Sequence, residues 1–67
     1  MINFTNREIE IIKRLIDGKT NSIIADELFI SVHTVKKHLE NIFLKTNCHN
    51  RIQVIVTAIK FNYIDLY

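Results

Sequence analysis

Residues 20–46 read TNSIIADELFISVHTVKKHLENIFLKT, and this stretch decides the fold. Thr20 is a good cap for a short helix over about Asn21–Leu28. Ile24 and Leu28 stand one turn apart and point inward, with the small Ala25 beside them. Asp26 and Glu27 fall on a solvated face. Phe29 and Ile30 break the pattern. Ser31 then caps a longer helix over about Val32–Thr46. Val35, Leu39, Ile42 and Thr46 recur there at i, i+4, i+7 and i+11, the spacing of a buried stripe. His33, Lys36, Lys37, Glu40 and Asn41 occupy the opposite face. Leu44 also points outward, which is unexpected on a soluble surface. Two helices with so tight a joint form a helix-turn-helix arrangement. The close crossing wants a small residue, Ala25, and an apolar anchor ten positions on, Val35. Ile30 plugs the core beneath the turn.

Upstream, a helix is expected over about Asn6–Asp17. Thr5 and Glu8 have the spacing of a capping box, and Phe4 and Ile9 that of a hydrophobic staple. Ile9, Ile12, Leu15 and Ile16 give it an apolar face, and Gly18 suits a left-handed cap. Downstream, Asn50 and Gln53 resemble a second capping box, opening a helix that runs to about Asn62. Its apolar residues fall on two faces. Ile52, Ile55, Val56, Ile59 and Tyr63 form one, and Val54, Ala58 and Phe61 the other. Either the helix is sunk between its neighbours and the tail, or one face meets a partner.

The chain has 67 residues, which bounds it to a single domain, here residues 1–67. With 48% hydrophobic and 24% charged residues it has ordinary globular composition, and one glycine with no proline argues against a turn-rich β fold. An all-α domain follows. The net charge of +2 conceals an asymmetry. Residues 1–27 carry four basic and five acidic side chains. Residues 28–60 carry five basic ones, Lys36, Lys37, Lys45, Arg51 and Lys60, against Glu40 alone. Such an imbalance suggests a polyanionic partner, although a chain rich in Ile, Asn and Lys can hold some lysines through composition alone. An α-helix with a free outer face fits the DNA major groove. Helix starts offer backbone N–H groups to phosphates.

Taken together in register, the opening T-N-R-E of residues 5–8, the joint G-K-T-N of 18–21, I-A-D-E-L-F-I-S of 24–31, T-V-K-K-H-L-E-N-I-F-L-K of 34–45 and N-R-I-Q-V-I-V-T-A-I of 50–59 resemble the LuxR-type (GerE-like) DNA-binding domain. The resemblance runs from Thr5 to Ile64. It implies a four-helix helix-turn-helix domain with a C-terminal dimerisation helix. It also implies a DNA-binding bacterial transcription regulator, sequence-specific and acting as a homodimer on duplex DNA in the cytoplasm, at the nucleoid. RNA polymerase is a further candidate partner. The resemblance places Lys36 in the major groove, and Lys37 and Glu40 at variable positions facing the bases, where Glu40 meets a cytosine amino group or solvent. It places Thr34, His38, Asn41 and Lys45 near the sugar–phosphate backbone or in support of the recognition helix. Thr20 and Asn21 fall near a phosphate. Ser31 and His33, at the start of the recognition helix, complete the expected DNA-binding set. Val54, Ala58 and Phe61 are the expected dimer interface. The departures are Ile23, Leu44, Thr46 and Cys48, which stand where the family usually has an acidic residue, a polar residue, Leu and Val.

Other chemistries find little support. His33 and His38 are about 140° apart on a regular helix and cannot chelate one metal. Cys48 and His49 lack further ligands, and one cysteine allows no internal disulfide. Glu8 and Glu10 do not face each other. Gly18 is alone, so no glycine loop cradles a phosphate. No cofactor, metal, catalytic group, membrane span or small-molecule ligand is expected. The chain reads as a stand-alone regulator or as the C-terminal piece of a longer one. Two rival readings are a sigma-factor region-4-like promoter-binding module and a small helical protein–protein adaptor.

Overall fold

The computed structural model describes residues 3–61 and contains four helices, α1 (Asn6–Ile16), α2 (Asn21–Leu28), α3 (Val32–Thr46) and α4 (Arg51–Lys60). The sequence places α2 and α3 as found. It runs α1 one residue too far, to Asp17. The expected end of α4 at Asn62, and Tyr63 on its first face, lie outside the described residues. Each start is fixed by a side-chain cap. Thr5 Oγ1 accepts from the Glu8 N–H at 3.1 Å while Glu8 Oε1 accepts from the Thr5 N–H at 2.9 Å, the full capping box. Thr20, Ser31 and Asn50 cap α2, α3 and α4 from their side-chain oxygens. At α4 the reciprocal bond is displaced by one residue, since Gln53 Oε1 accepts from the His49 N–H at 2.6 Å.

Three helices end on a left-handed residue. After α1, Gly18 (φ 78°) and Lys19 donate back to the Leu15 and Arg14 carbonyls. After α2 the same pattern uses Phe29 (φ 57°) and Ile30, which donate to Asp26 and Ala25. After α3 it uses Asn47 (φ 55°), and Cys48 donates to Phe43. Glycine and asparagine tolerate this region, whereas a Cβ-bearing aromatic is strained in it. Phe29 is also 94% exposed, so no burial offsets the strain.

The core is one cluster. Ile11, Ile12 and Leu15 of α1 meet Ile24 and Ala25 of α2, Val35, Leu39 and Ile42 of α3, and Val54 and Ala58 of α4. Phe4, Ile9, Ile16, Leu28, Ile30, Phe43, Cys48 and Ile55 pack around it, half-buried. Thr46 closes the α3 stripe by donating its hydroxyl to the Ile42 carbonyl at 2.8 Å, which satisfies a polar group at an otherwise apolar position.

Two faces differ from expectation. On α1 the inward set is Glu8, Ile11, Ile12 and Leu15. The helix is turned so that an acid takes a core position and Ile9 and Ile16 flank it. Lys45 makes this possible. Its Nζ donates to Glu8 Oε1 at 2.6 Å and to the Asn3 carbonyl at 3.1 Å. Burial is the largest single influence on the Glu8 pKa and acts to raise it. The hydrogen bonds from Lys45 and Thr5, with the Lys45 charge, outweigh it together and hold the carboxyl below its ordinary value of 4.5. On α4 the correction is larger. Val54 (0% exposed) and Ala58 (1%) are core, so they do not form an outward-facing interface. Their small side chains let α4 pack closely on α1 and α3. The bulkier Ile52, Val56 and Ile59 are left outside. Of the three expected interface residues, Phe61 alone is exposed.

Two stability predictions follow from these ends and this ion pair. A Cβ at Gly18 would meet no atom within 4 Å, so Gly18→Ala loses stability through backbone strain alone, about 1 kcal/mol. Phe29→Gly gains a similar amount, about 1 kcal/mol, by relieving that strain. Urea denaturation of both variants checks the opposite signs. Lys45→Met leaves a buried carboxylate without its cation and costs about 1–3 kcal/mol at pH 7. In the wild type the depressed Glu8 pKa gives stability that is complete above 4.5 and fades as pH falls through the folded-state value. In the variant, burial dominates and protonation relieves the penalty. The stability gap between the two proteins therefore narrows on acidification. A gap that stays constant with pH would show that Glu8 is effectively solvated.

Candidate nucleic-acid interface

The outward side of α3 is the candidate site. Its inner stripe of Val35, Leu39 and Ile42 is buried, so the remaining helix surface is turned away from the core. His33, Lys36, Lys37, Glu40 and Asn41 all lie exposed on it, one side of a single helix. Thr34 and His38 are half-buried at its margin. Ser31 and Thr34 are tied to each other at the start of α3. Ser31 Oγ accepts from the Thr34 N–H at 3.0 Å, and the two hydroxyl oxygens are 3.0 Å apart. Their first role is therefore to shape the helix start. Thr20 is likewise engaged, accepting from the Ile23 N–H at 3.2 Å. With isoleucine at position 23, no side chain returns the bond.

Charge pairing divides the molecule. Arg7 pairs with Glu10 at 3.0 Å, Arg14 and Lys19 share Glu27 at 2.8 and 2.6 Å, and Lys45 pairs with Glu8. The hydrogen bond from Lys19, followed by that from Arg14, holds the Glu27 carboxyl below its ordinary range against the opposing effect of desolvation. Lys36 and Lys37 have no carboxylate partner among the described residues. Lys45 belongs with the paired group. The structure sets it against α1 and the chain start, apart from the other expected DNA-binding cations.

Asn21 is half-buried at the first position of α2, and its Oδ1 is a buried acceptor without a partner. It lines an open cleft of about 320 Å³ with Lys36, Leu39, Glu40, Phe43 and Arg51. The sequence reading omitted Arg51. The available signal was a cation at the first position of a helix, where the dipole favours the opposite charge. Leu44, 80% exposed, lies on the far half of α3 and lines a second cleft with Glu40, Phe43, Asn47, Cys48 and His49. Among the described residues there is no metal-binding cluster of His, Cys, Asp and Glu, and no helix long and apolar enough to cross a membrane.

Residues 3–58 match the family model of bacterial regulatory proteins, luxR family. The chain is 40% identical over 62 residues to the transcriptional regulatory protein DegU of Brevibacillus brevis, covering 92% of this chain. It is 45% identical over 56 residues to the transcriptional regulatory protein LiaR of Bacillus subtilis (strain 168), covering 84% of this chain. It spans 26% of the length of each of these two relatives. The solved structure of the transcription factor GerE superposes with a TM-score of 0.87 at 30% identity, over 96% of both chains. Four helices in this order and a family match over most of its length place the chain in the LuxR family of bacterial regulatory proteins.

Proposed function

We propose that the chain binds duplex DNA in a sequence-specific manner, as a homodimer, with α3 lying in the major groove. One observation carries the reading. The two lysines on the exposed face of α3 are unpaired, whereas of the cations around α1 and α2 Arg7, Arg14 and Lys19 are paired with carboxylates and only Lys13 is not. Unpaired cations on a helix that fits the groove can replace counterions along a phosphate backbone. Phosphate contacts give most of the affinity, and base contacts set the preference. Lys36 is the principal base-reading residue, with Lys37 and Glu40 beside it. His33 and Asn41 stand on the same face. Thr20, Asn21, Ser31, Thr34 and His38 surround it as backbone contacts and supports. This work is transcription regulation, in keeping with the names of the relatives, and its place is the bacterial nucleoid.

The homodimer reading rests on α4. Ile52 (72% exposed), Val56 and Ile59 form an apolar strip on its outer side. A small domain gains by covering such a strip, and a second copy presenting the same strip does so symmetrically. Two copies joined there would present two α3 helices to successive half-sites. The strip is short, so the contact is expected to be weak without DNA.

Lys36→Ala is expected to keep its helical circular dichroism and lose its choice among mixed genomic fragments, by about 1–3 kcal/mol of discrimination. A titration at two salt concentrations measures this, and a variant that selects as well as wild type removes Lys36 from base reading. For the dimer, Val56→Asp should melt like wild type but bind paired half-sites more weakly, with a smaller effect on one half-site. Val54→Asp should fail to fold, because it puts a charge in the core. Equal losses on single and paired half-sites for Val56→Asp would move the dimer contact off α4.

A further inference from the structure

Leu44 is 80% exposed, the most open of the large aliphatic side chains among the described residues. It does not sit at a loose end. The helix continues to Thr46, and the turn that carries Leu44 is held on both sides. Ile42 is fully buried, Phe43 packs on the core, and Lys45 Nζ bonds Glu8 Oε1 and the Asn3 carbonyl. The backbone therefore fixes the direction in which Leu44 projects. On a regular helix it stands about 170° from the mean direction of Val35, Leu39 and Ile42, which is the centre of the outward face. Lys37, two turns back, falls within about 20° of it. His33, Lys37, Glu40 and Leu44 follow one another at i, i+4, i+7 and i+11, and all four are exposed. An apolar side chain thus ends a line of polar ones, on the face proposed to enter the groove.

The major groove offers each member of that line something different. Lysine suits the acceptors of guanine, and glutamate accepts from the amino group of cytosine. A leucine neither donates nor accepts, and a phosphate has nothing to offer it. The apolar feature that base edges present in this groove is the C5 methyl group of thymine. Leu44 stands about 12 Å beyond Lys36 along the helix axis, which is about three to four base-pair steps.

We infer that Leu44 is a specificity-determining residue, packing on the methyl group of a thymine about three to four base pairs from the base read by Lys36. The inference rests on the duplex-binding reading above and adds a preference that none of the charged residues supplies. Leucine and methyl group exclude water from each other when they meet. Cytosine at the same step lacks the methyl group, and Leu44 would cover its amino donor without pairing it. Thymine is favoured on both counts.

The test uses duplexes that the wild type selects from a random pool. Each thymine is replaced in turn by deoxyuridine, which lacks only the methyl group. One thymine in each half-site should prove sensitive, its replacement weakening binding about fourfold, the worth of one buried methyl group. It should lie about three to four base pairs from the position at which Lys36→Ala loses discrimination. Leu44→Ala sits at an exposed helical position that alanine suits, so it should melt like the wild type. It should bind the unmodified duplex more weakly and be indifferent to deoxyuridine at that one step, with the rest of the profile unchanged. Leu44→Met keeps a long apolar side chain and should keep the sensitivity. A Leu44→Ala variant with the wild-type deoxyuridine profile overturns the inference, and so does a wild-type profile without a sensitive thymine. In either case selection by the wild type leaves the duplex reading standing. A wild type that selects no sequence removes the duplex reading itself, and the role of Leu44 falls with it.

Discussion

Val35, Leu39 and Ile42 hold α3 by one side only, and the rest of the molecule follows from that constraint. Full burial of each such side chain is worth roughly 1.5–3 kcal/mol, so the stripe fixes the rotation of α3 firmly. With that stripe buried, the far side of α3 is left outside the core, the apolar Leu44 included. Ala25 reinforces the arrangement, since it is buried in the same core and offers little bulk where α2 meets α3. The left-handed reversal at Phe29 then turns the chain from one helix to the next within three residues. Its strain is tolerated because Ile30 packs on the core and Ser31 starts α3 at once. Local strain thus secures a turn that a longer loop would leave loose.

What was legible in the sequence was local. Thr5 with Glu8, Thr20, Ser31 and Asn50 mark helix starts through bonds spanning three residues, and Gly18 marks an end. The exposed face of α3 follows from periodicity within one helix. Errors arose where an answer depended on distant partners. Glu8 could be seen to cap α1. That it is buried could not be seen, because its cation lies 37 residues away on α3. The Lys45–Glu8 pair was out of reach for the same reason. On α4 both faces are apolar, and periodicity cannot rank them. Packing against α1 and α3 selects the side with Val54 and Ala58, since the smaller side chains allow the closer approach. Arg51 escaped notice because its cleft is assembled from three helices.

The distribution of ion pairs bears on whether the lysines of α3 are functional or merely frequent in a lysine-rich chain. Composition fixes how many lysines a chain holds, not which of them find carboxylates. Here Arg7, Arg14, Lys19 and Lys45 find them, within a helix or between helices. Each exposed pair adds at most about 1 kcal/mol of stability, so pairing is not what holds the fold. Its larger effect is on the field. Neutralised charges contribute little at a distance, and the cations without carboxylate partners, Lys36, Lys37 and Arg51 with Lys13 and Lys60, shape what an approaching polyanion meets. A formal charge of only +2 therefore does not exclude a locally positive surface. A duplex responds to local potential over about a Debye length, roughly 8–10 Å in physiological salt, and within that range of α3 the nearest carboxylate on the same face is Glu40. A net charge averaged over the chain hides this.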